Sequence, residues 1–254
     1  MTPTDKIKNA EKLLGEAMQE LGASIQGEQS RRRGNLTHEL WKVQKMLGRV
    51  QQYFSQSGQD RFIDNLLGNK RDGVFADIGG YDGVTGSNTL FFETFRGWSG
   101  ILVEPAPDNL ERSKEVRRCP CLGYGAGAVA GEMDFLHIES GYTQMSGFLD
   151  SYDQNLLGKV RENPNHREAI LKVESKTLPD ILADSGLSQI DYLSLDVEGG
   201  ELAILNDFPF ADFDITALSI ENNSHTSEIP KLMQSRGYKL VEFCGVDEIY
   251  HKGN

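Results

Sequence analysis

Along the chain, apolar positions follow two different rhythms. In the first fifty or so residues they recur at helical spacing, as Ile7, Leu13, Leu14, Ala17, Met18 and Leu21. A second helical set follows in Leu36, Leu40, Val43, Met46, Leu47, Val50 and Phe54. The stretch GASIQGEQSRRRGN, rich in glycine and polar residues, separates the two. This predicts a helical N-terminal extension over residues 1–54, ahead of a main domain over residues 55–254. Amphipathic helices must bury their stripes, either on the main domain or on another copy of the chain. An oligomerisation arm and a flap over a functional site are the two expectations.

From Val74 onward, short apolar runs alternate with helical patterns. VFA (74–76) and GILVEP (100–105) read as strands, and APDNLERSKEVRR as a helix with Asp108 at its N-cap. CLGYGAGAVA (121–130) is a third strand region, with EMDFLHI (132–138) as a hairpin partner. TLPDILADSG is a short helix with Pro179 near its first turn. IDYLSLDVEGG and ITALSIENN read as strands, ELAILNDF and SEIPKLMQSRG as helices, and YKLVEFCG with DEIYHK as a terminal pair of strands. Residues 139–172 are polar and weakly patterned, and read as a long loop. The alternation predicts an α/β fold, a mostly parallel sheet covered by helices on both faces.

Four of these strands end in an acid: Asp77, Glu104, Asp196 and Glu221. Ligands of such sheets bind beyond the carboxyl ends of the strands, so the four converge on one edge. The turn after Asp77, DIGGYDGVTGSNT, is glycine-rich and leads into a helix, as in nucleotide sites. It lacks the G-x-G-x-x-G order of dinucleotide folds, and it carries a second acid, Asp82. Acids repel a pyrophosphate and suit a cationic ligand. S-adenosylmethionine carries an ammonium and a sulfonium and no phosphate, whereas NAD is disfavoured.

Charge and cysteine content narrow the picture. The first 54 residues hold nine Lys/Arg and six Asp/Glu, and the rest hold 17 and 32, within a net charge of −12. An acidic body disfavours nucleic-acid partners. The triplet Arg31–Arg33 reads as a solvated linker rather than an anion-binding patch. Three cysteines, Cys119, Cys121 and Cys244, form neither a disulfide framework nor a zinc spacing. No apolar run approaches the roughly 20 residues of a membrane span. The N-terminus has no signal-peptide core, so a cytoplasmic location is expected.

Several segments, in order, resemble the FkbM family of S-adenosylmethionine-dependent methyltransferases. They are SQSGQDRFI (55–63), FADIGGYDGVTGSNT, GWSGILVEPAP, IDYLSLDVEGGELAIL and LSIENN. The resemblance runs from about Ser55 to the C-terminus and leaves out the N-terminal arm. It implies a Rossmann-like class I methyltransferase fold with a seven-stranded sheet whose last strand is antiparallel. It also implies O-methylation of a sugar, glycan or secondary metabolite. Carried over by position, Asp77, Gly79, Gly80 and Gly83 shape the cofactor turn, and Glu104 binds the ribose. Asp82 and Asn88 meet the methionine end, Gly127 and Ala128 lie beside the adenine, and Ser146 sits in a loop near the cofactor. SQSGQD lies across the pocket, with Gln59 and Asp60 as candidate lid contacts.

The chemical difficulty of methyl transfer to oxygen lies in the acceptor, a weakly acidic hydroxyl. A general base or a divalent metal overcomes it. Candidate bases are His225, on the loop after ENNS, and Glu198, two residues beyond Asp196. Asp196 itself is placed at the reacting centre. Catechol O-methyltransferase is similar in setting an acid and an acid–Asn pair at two such strand ends around magnesium. That likeness implies Asp196, Glu221 and Asn222 as ligands for Mg²⁺ or Mn²⁺. The alternative is that the acids orient loops and accept hydrogen bonds from sugar hydroxyls. Tyr142, Tyr152 and Arg161 are candidate sugar contacts. The expected function is sugar or glycan O-methylation. The rivals are methylation of a polyketide or peptide, and a non-catalytic cofactor-binding scaffold.

Overall fold

The computed structural model describes residues 1–152 and 154–253. The large sheet has seven strands: β1 (Val74–Ile78), β2 (Ser99–Val103), β3 (Cys121–Leu122), β8 (Gln189–Leu195), β9 (Asp214–Glu221), β10 (Tyr238–Cys244) and β11 (Asp247–Lys252). Their order across the sheet is β3-β2-β1-β8-β9-β11-β10. β11, inserted between β9 and β10, runs antiparallel to both. This is the Rossmann-like methyltransferase order, with the last strand reversed. The chain winds outward from β1 to β3 and then crosses back to β8. The switch point, where such sheets bind ligands, therefore falls between β1 and β8.

The central strands are nearly continuous apolar runs because both faces are covered. On one face Ile78, Leu193, Leu195, Leu218 and Ile220 pack against Leu182 of α6 (Leu178–Asp184), Ile204 of α7 (Glu201–Asn206) and Met233 of α8 (Glu228–Ser235). On the other, Phe75, Tyr192, Ala217 and Ile249 meet Phe91, Phe92, Trp98 and Ile63, the last from α3 (Gln59–Leu66). Helix α4 (Pro107–Val116) starts two residues earlier than a cap at Asp108 would place it. Its N-cap is Ala106, with Pro107 in the first turn and Asp108 just inside, where its charge favours the helix dipole.

Residues 139–172 are not a loop. β5 (Gly131–Ser140) pairs antiparallel with β7 (Arg167–Lys176), and short β4 (Gly125–Ala126) and β6 (Gly147–Phe148) complete a second, four-stranded sheet. Between them lies α5 (Gln154–Arg161). Tyr152, Leu157 and Val160 pack with Leu136 and Ile138 into a small core of their own. In β7, Val173 and Ser175 face inward, but Ile170 points outward and is half exposed, which blurs the alternation.

The arm is α1 (Pro3–Gln26) and α2 (Arg32–Met46). Thr2 and Asp5 form a capping box at the start of α1. α1 buries no residue and lies along α2, which itself packs against β10. Gly34 makes that contact close, since a Cβ there would lie 2.1 Å from the Gly245 carbonyl oxygen. The arginine triplet is not a solvated linker. Arg31 ion-pairs with the buried Glu248, and Arg33 grips Glu242 in a two-pronged pair. Burying acids at the β10–β11 hairpin requires partners, and the arm supplies them. Among the described residues, no helix is long and apolar enough to cross a membrane.

Candidate active site

A cavity of about 400 Å³ opens at the switch point. Its first wall is the glycine turn after β1. Gly79 has φ +89°, and a Cβ there would fall 1.6 Å from the Asp196 carbonyl oxygen, so only glycine fits. Beyond β2, Glu104 accepts the backbone N–H of Tyr81 and of Ala106, both at 2.9 Å. Burial pushes its carboxyl up to about 7, against the pull of those hydrogen bonds. Asp77 accepts the Thr89 hydroxyl at 2.5 Å and lies 3.5 Å from the buried Arg117 guanidinium. Burial raises its carboxyl too, with Arg117 opposing. Asn88 donates to Ser194 Oγ at 3.0 Å, while its Oδ1 is buried without a partner. Ala126, Phe135 and Phe148 give this end an apolar wall.

The opposite end is acidic. Asp196, Glu198 and Glu221 each bring a carboxylate oxygen within 4.8 Å of the others. Glu198 stands in the left-handed region at φ +60°, followed by Gly199 at φ +118°. Glu201 fastens this turn by accepting the Val197 and Gly199 N–H groups, each at 3.1 Å. Asn223 donates to Glu198 at 3.2 Å. Burial pushes all three carboxyls well above the usual carboxylate range, and repulsion from neighbouring acids, Asp247 and Glu201 among them, adds to it. One oxygen of Glu221, Oε2, is buried with no hydrogen-bond partner.

The model of the methyltransferase FkbM domain matches residues 77–240, well over half of the chain. The chain belongs to the FkbM methyltransferase family. No curated protein sequence matches it. Among solved structures, it is similar to the FkbM methyltransferase from Methylobacillus flagellatus KT, at 14% identity over 98% of this chain and 60% of that one, with a TM-score of 0.43. A precorrin-6y C5,15-methyltransferase from Geobacter metallireducens GS-15 is 11% identical over 79% of this chain and 90% of that one, with a TM-score of 0.46. The METTL16 methyltransferase domain is 12% identical over 76% of this chain, with a TM-score of 0.45, and the chain spans only 65% of its length.

In this FkbM domain, Asp77, Gly79, Gly80, Asn88, Glu104, Ser146, Asp196, Glu198 and Glu221 all line the cavity. Other expected residues do not. Asp82 turns into its own loop, accepting Val84 N–H at 3.0 Å and Thr85 N–H at 2.7 Å. Gly83 backs onto Arg117 and Ser113 behind the turn. Gly127 abuts Ser175, and Ala128 is exposed. The cavity wall comes two residues earlier, from Gly125 and Ala126 of β4, after which the chain turns away from the cavity towards β5.

Asn222 is not a ligand beside Asp196. Its amide donates to the Thr226 carbonyl and to Glu248, and its Oδ1 accepts Thr226 N–H, each at 2.9 Å. Successive residues at a strand end face opposite sides, so Asn223 shares the cavity side with Glu221. His225 is exposed on the same turn and is not part of the cavity lining.

Of SQSGQD, only Gln56 lines the cavity. Asp60 is spent on Phe54 N–H, Ser55 N–H and Ser55 Oγ, and Gln59 on Ser57 N–H and Asp247. Tyr142 stands half exposed at the cavity. Tyr152 is buried, bonded to the Met145 carbonyl, and Arg161 pairs with Glu168 on the surface. Arg117, which neutralises both Asp77 and Glu93, has no sequence signal beyond an arginine after a helix. The lining residues Tyr81, Phe135 and Phe148 were likewise missed, since their role depends on the second sheet closing over the turn.

Proposed function

We propose that this FkbM-family chain transfers a methyl group from S-adenosylmethionine to a hydroxyl oxygen of a sugar or glycan. The observation that carries the reading is one cavity joining a nucleoside-suited end to a cluster of carboxylates. The cofactor end fits the group chemically. Glu104 keeps lone pairs for ribose hydroxyls, the unpartnered Asn88 Oδ1 suits an ammonium, and Ala126, Phe135 and Phe148 suit an adenine face. S-adenosylmethionine, when bound, supplies a methyl carbon that needs no further activation.

The chain's own work is done on the acceptor. Asp196, Glu198 and Glu221 accept the hydrogen bonds of an incoming hydroxyl, orient it and draw off its proton. When ionised, each holds a proton more tightly than an ordinary carboxylate and is the stronger base. Vicinal hydroxyls suit such a group of acceptors, and Tyr142 offers a ring at the cavity for stacking on a sugar face. An assay with methyl-labelled cofactor and a panel of sugars, glycans, polyketides and peptides tests the reading. Asp196→Asn is expected to lose at least about 100-fold in transfer while binding S-adenosylhomocysteine normally. Full activity in that variant, or transfer only to acceptors without sugars, contradicts it.

A further inference from the structure

We propose that Asp196, Glu198 and Glu221 together hold a divalent cation, magnesium or manganese, at the acceptor end of the cavity. The role of the cation rests on the methyltransferase reading above, but its binding does not. Two separate observations point to it. The first is the cluster itself, one oxygen from each side chain within 4.8 Å of the others, with Glu198 and Glu221 each only 7% exposed. Among the described residues, no lysine or arginine forms an ion pair with any of the three. The second is Glu221 Oε2, buried in the cavity lining with no hydrogen-bond donor. A buried acceptor normally has a partner, and an anionic one more so. Here carboxylate oxygens of two other acids, Asp196 and Glu198, lie within 4.8 Å of a Glu221 carboxylate oxygen.

The donor set selects the ion. It is all carboxylate oxygen, without histidine or cysteine, which suits the hard cations rather than zinc or copper. Oxygens around such an ion lie about 3 Å apart when adjacent and about 4–5 Å when opposite. Small side-chain rotations would therefore close the three onto one centre. The ligands come from the ends of adjacent strands β8 and β9, held in register by the sheet. All three line the cavity, so the remaining coordination positions face the space where an acceptor would enter. A cation there relieves the repulsion among the acids and makes a neighbouring hydroxyl more acidic, which offsets the basicity that the coordinated carboxylates give up when they take its proton. The ligand set differs from the sequence expectation in one member, since Glu198 takes the place of Asn222.

The test is titration of the full chain with MnCl₂ alone, followed by the loss of the free-ion electron paramagnetic resonance signal. The expected result is one Mn²⁺ per chain, displaced by Mg²⁺ and not by Na⁺. Glu221→Gln and Asp196→Asn should each weaken binding at least tenfold, whereas Glu228→Gln, on an exposed helix, should not. Circular dichroism and S-adenosylhomocysteine titration of each variant check that it is folded. If one variant fails to fold, Glu198→Gln replaces it. Wild-type protein that binds no Mn²⁺ at millimolar concentration overturns the proposal, as does binding unchanged in the folded variants. Either failure leaves the cofactor titration intact, so loss of the metal site and loss of the methyltransferase reading are told apart.

Discussion

Glu104 shows how a single buried carboxylate couples pH to ligand binding. Its acceptor form is the ionised one, and its carboxyl titrates at about 7. Cofactor affinity should therefore fall about tenfold between pH 8 and pH 6, as the ionised fraction falls. Glu104→Gln should weaken S-adenosylhomocysteine binding about 10- to 100-fold at pH 8, the worth of a hydrogen bond to a charged group. It should also flatten the pH profile. Calorimetric titration at several pH values checks both, and a wild-type profile that is flat contradicts the assignment. At this scale the sequence was most legible where a strand runs directly into an acid, as at Asp77, Glu104 and Asp196. It was least legible one residue further on. ENN offers two asparagines, and only the strand's alternation decides that Asn223 reaches the cavity while Asn222 ties down its own turn.

Among the elements, α2 matters more than its place outside the sheet suggests. Trp41 is buried, donates from Nε1 to the Ser55 carbonyl at 3.0 Å, and lies beneath Gly58, where a Cβ would approach its ring to 2.9 Å. It thereby holds the strap that brings Gln56 to the cavity. α1 has no buried residue. Removing residues 1–26 should shift the melting temperature by only a few degrees, whereas Trp41→Ala should cost about 3–5 kcal/mol. Arg31→Met should cost about 3 kcal/mol by leaving the buried Glu248 without its counter-charge. Urea unfolding measures all three, and an α1 truncation that proves more damaging than Trp41→Ala would reverse this ranking. The periodic helices and the buried strands were readable because each repeats one simple pattern. The β5–β7 hairpin and the docking of the arm were not, since both depend on partners distant in the chain. Arg31 and Glu248 are 217 residues apart.

For the whole molecule, the buried acids set the direction of its pH stability. Glu104 rises from 4.5 to about 7 and Asp247 from 3.8 to about 6, both through burial. The folded chain thus binds these protons more tightly than the unfolded chain, so stability falls as pH rises towards the folded values. Acids lowered on folding, such as Glu168 beside Arg161, are ionised in both states above pH 6 and leave that window unchanged. The melting temperature should accordingly fall from pH 6 to pH 8. Glu104 alone accounts for about 1.4 kcal/mol of this, or roughly 3 °C. A melting temperature that rises over this interval contradicts the electrostatic account. The cavity itself is tested most directly by calorimetric titration of the full chain with S-adenosylhomocysteine at pH 8. The account predicts saturable binding at one site per chain, sharply weakened in Glu104→Gln. Absence of binding in the folded wild-type protein would contradict it.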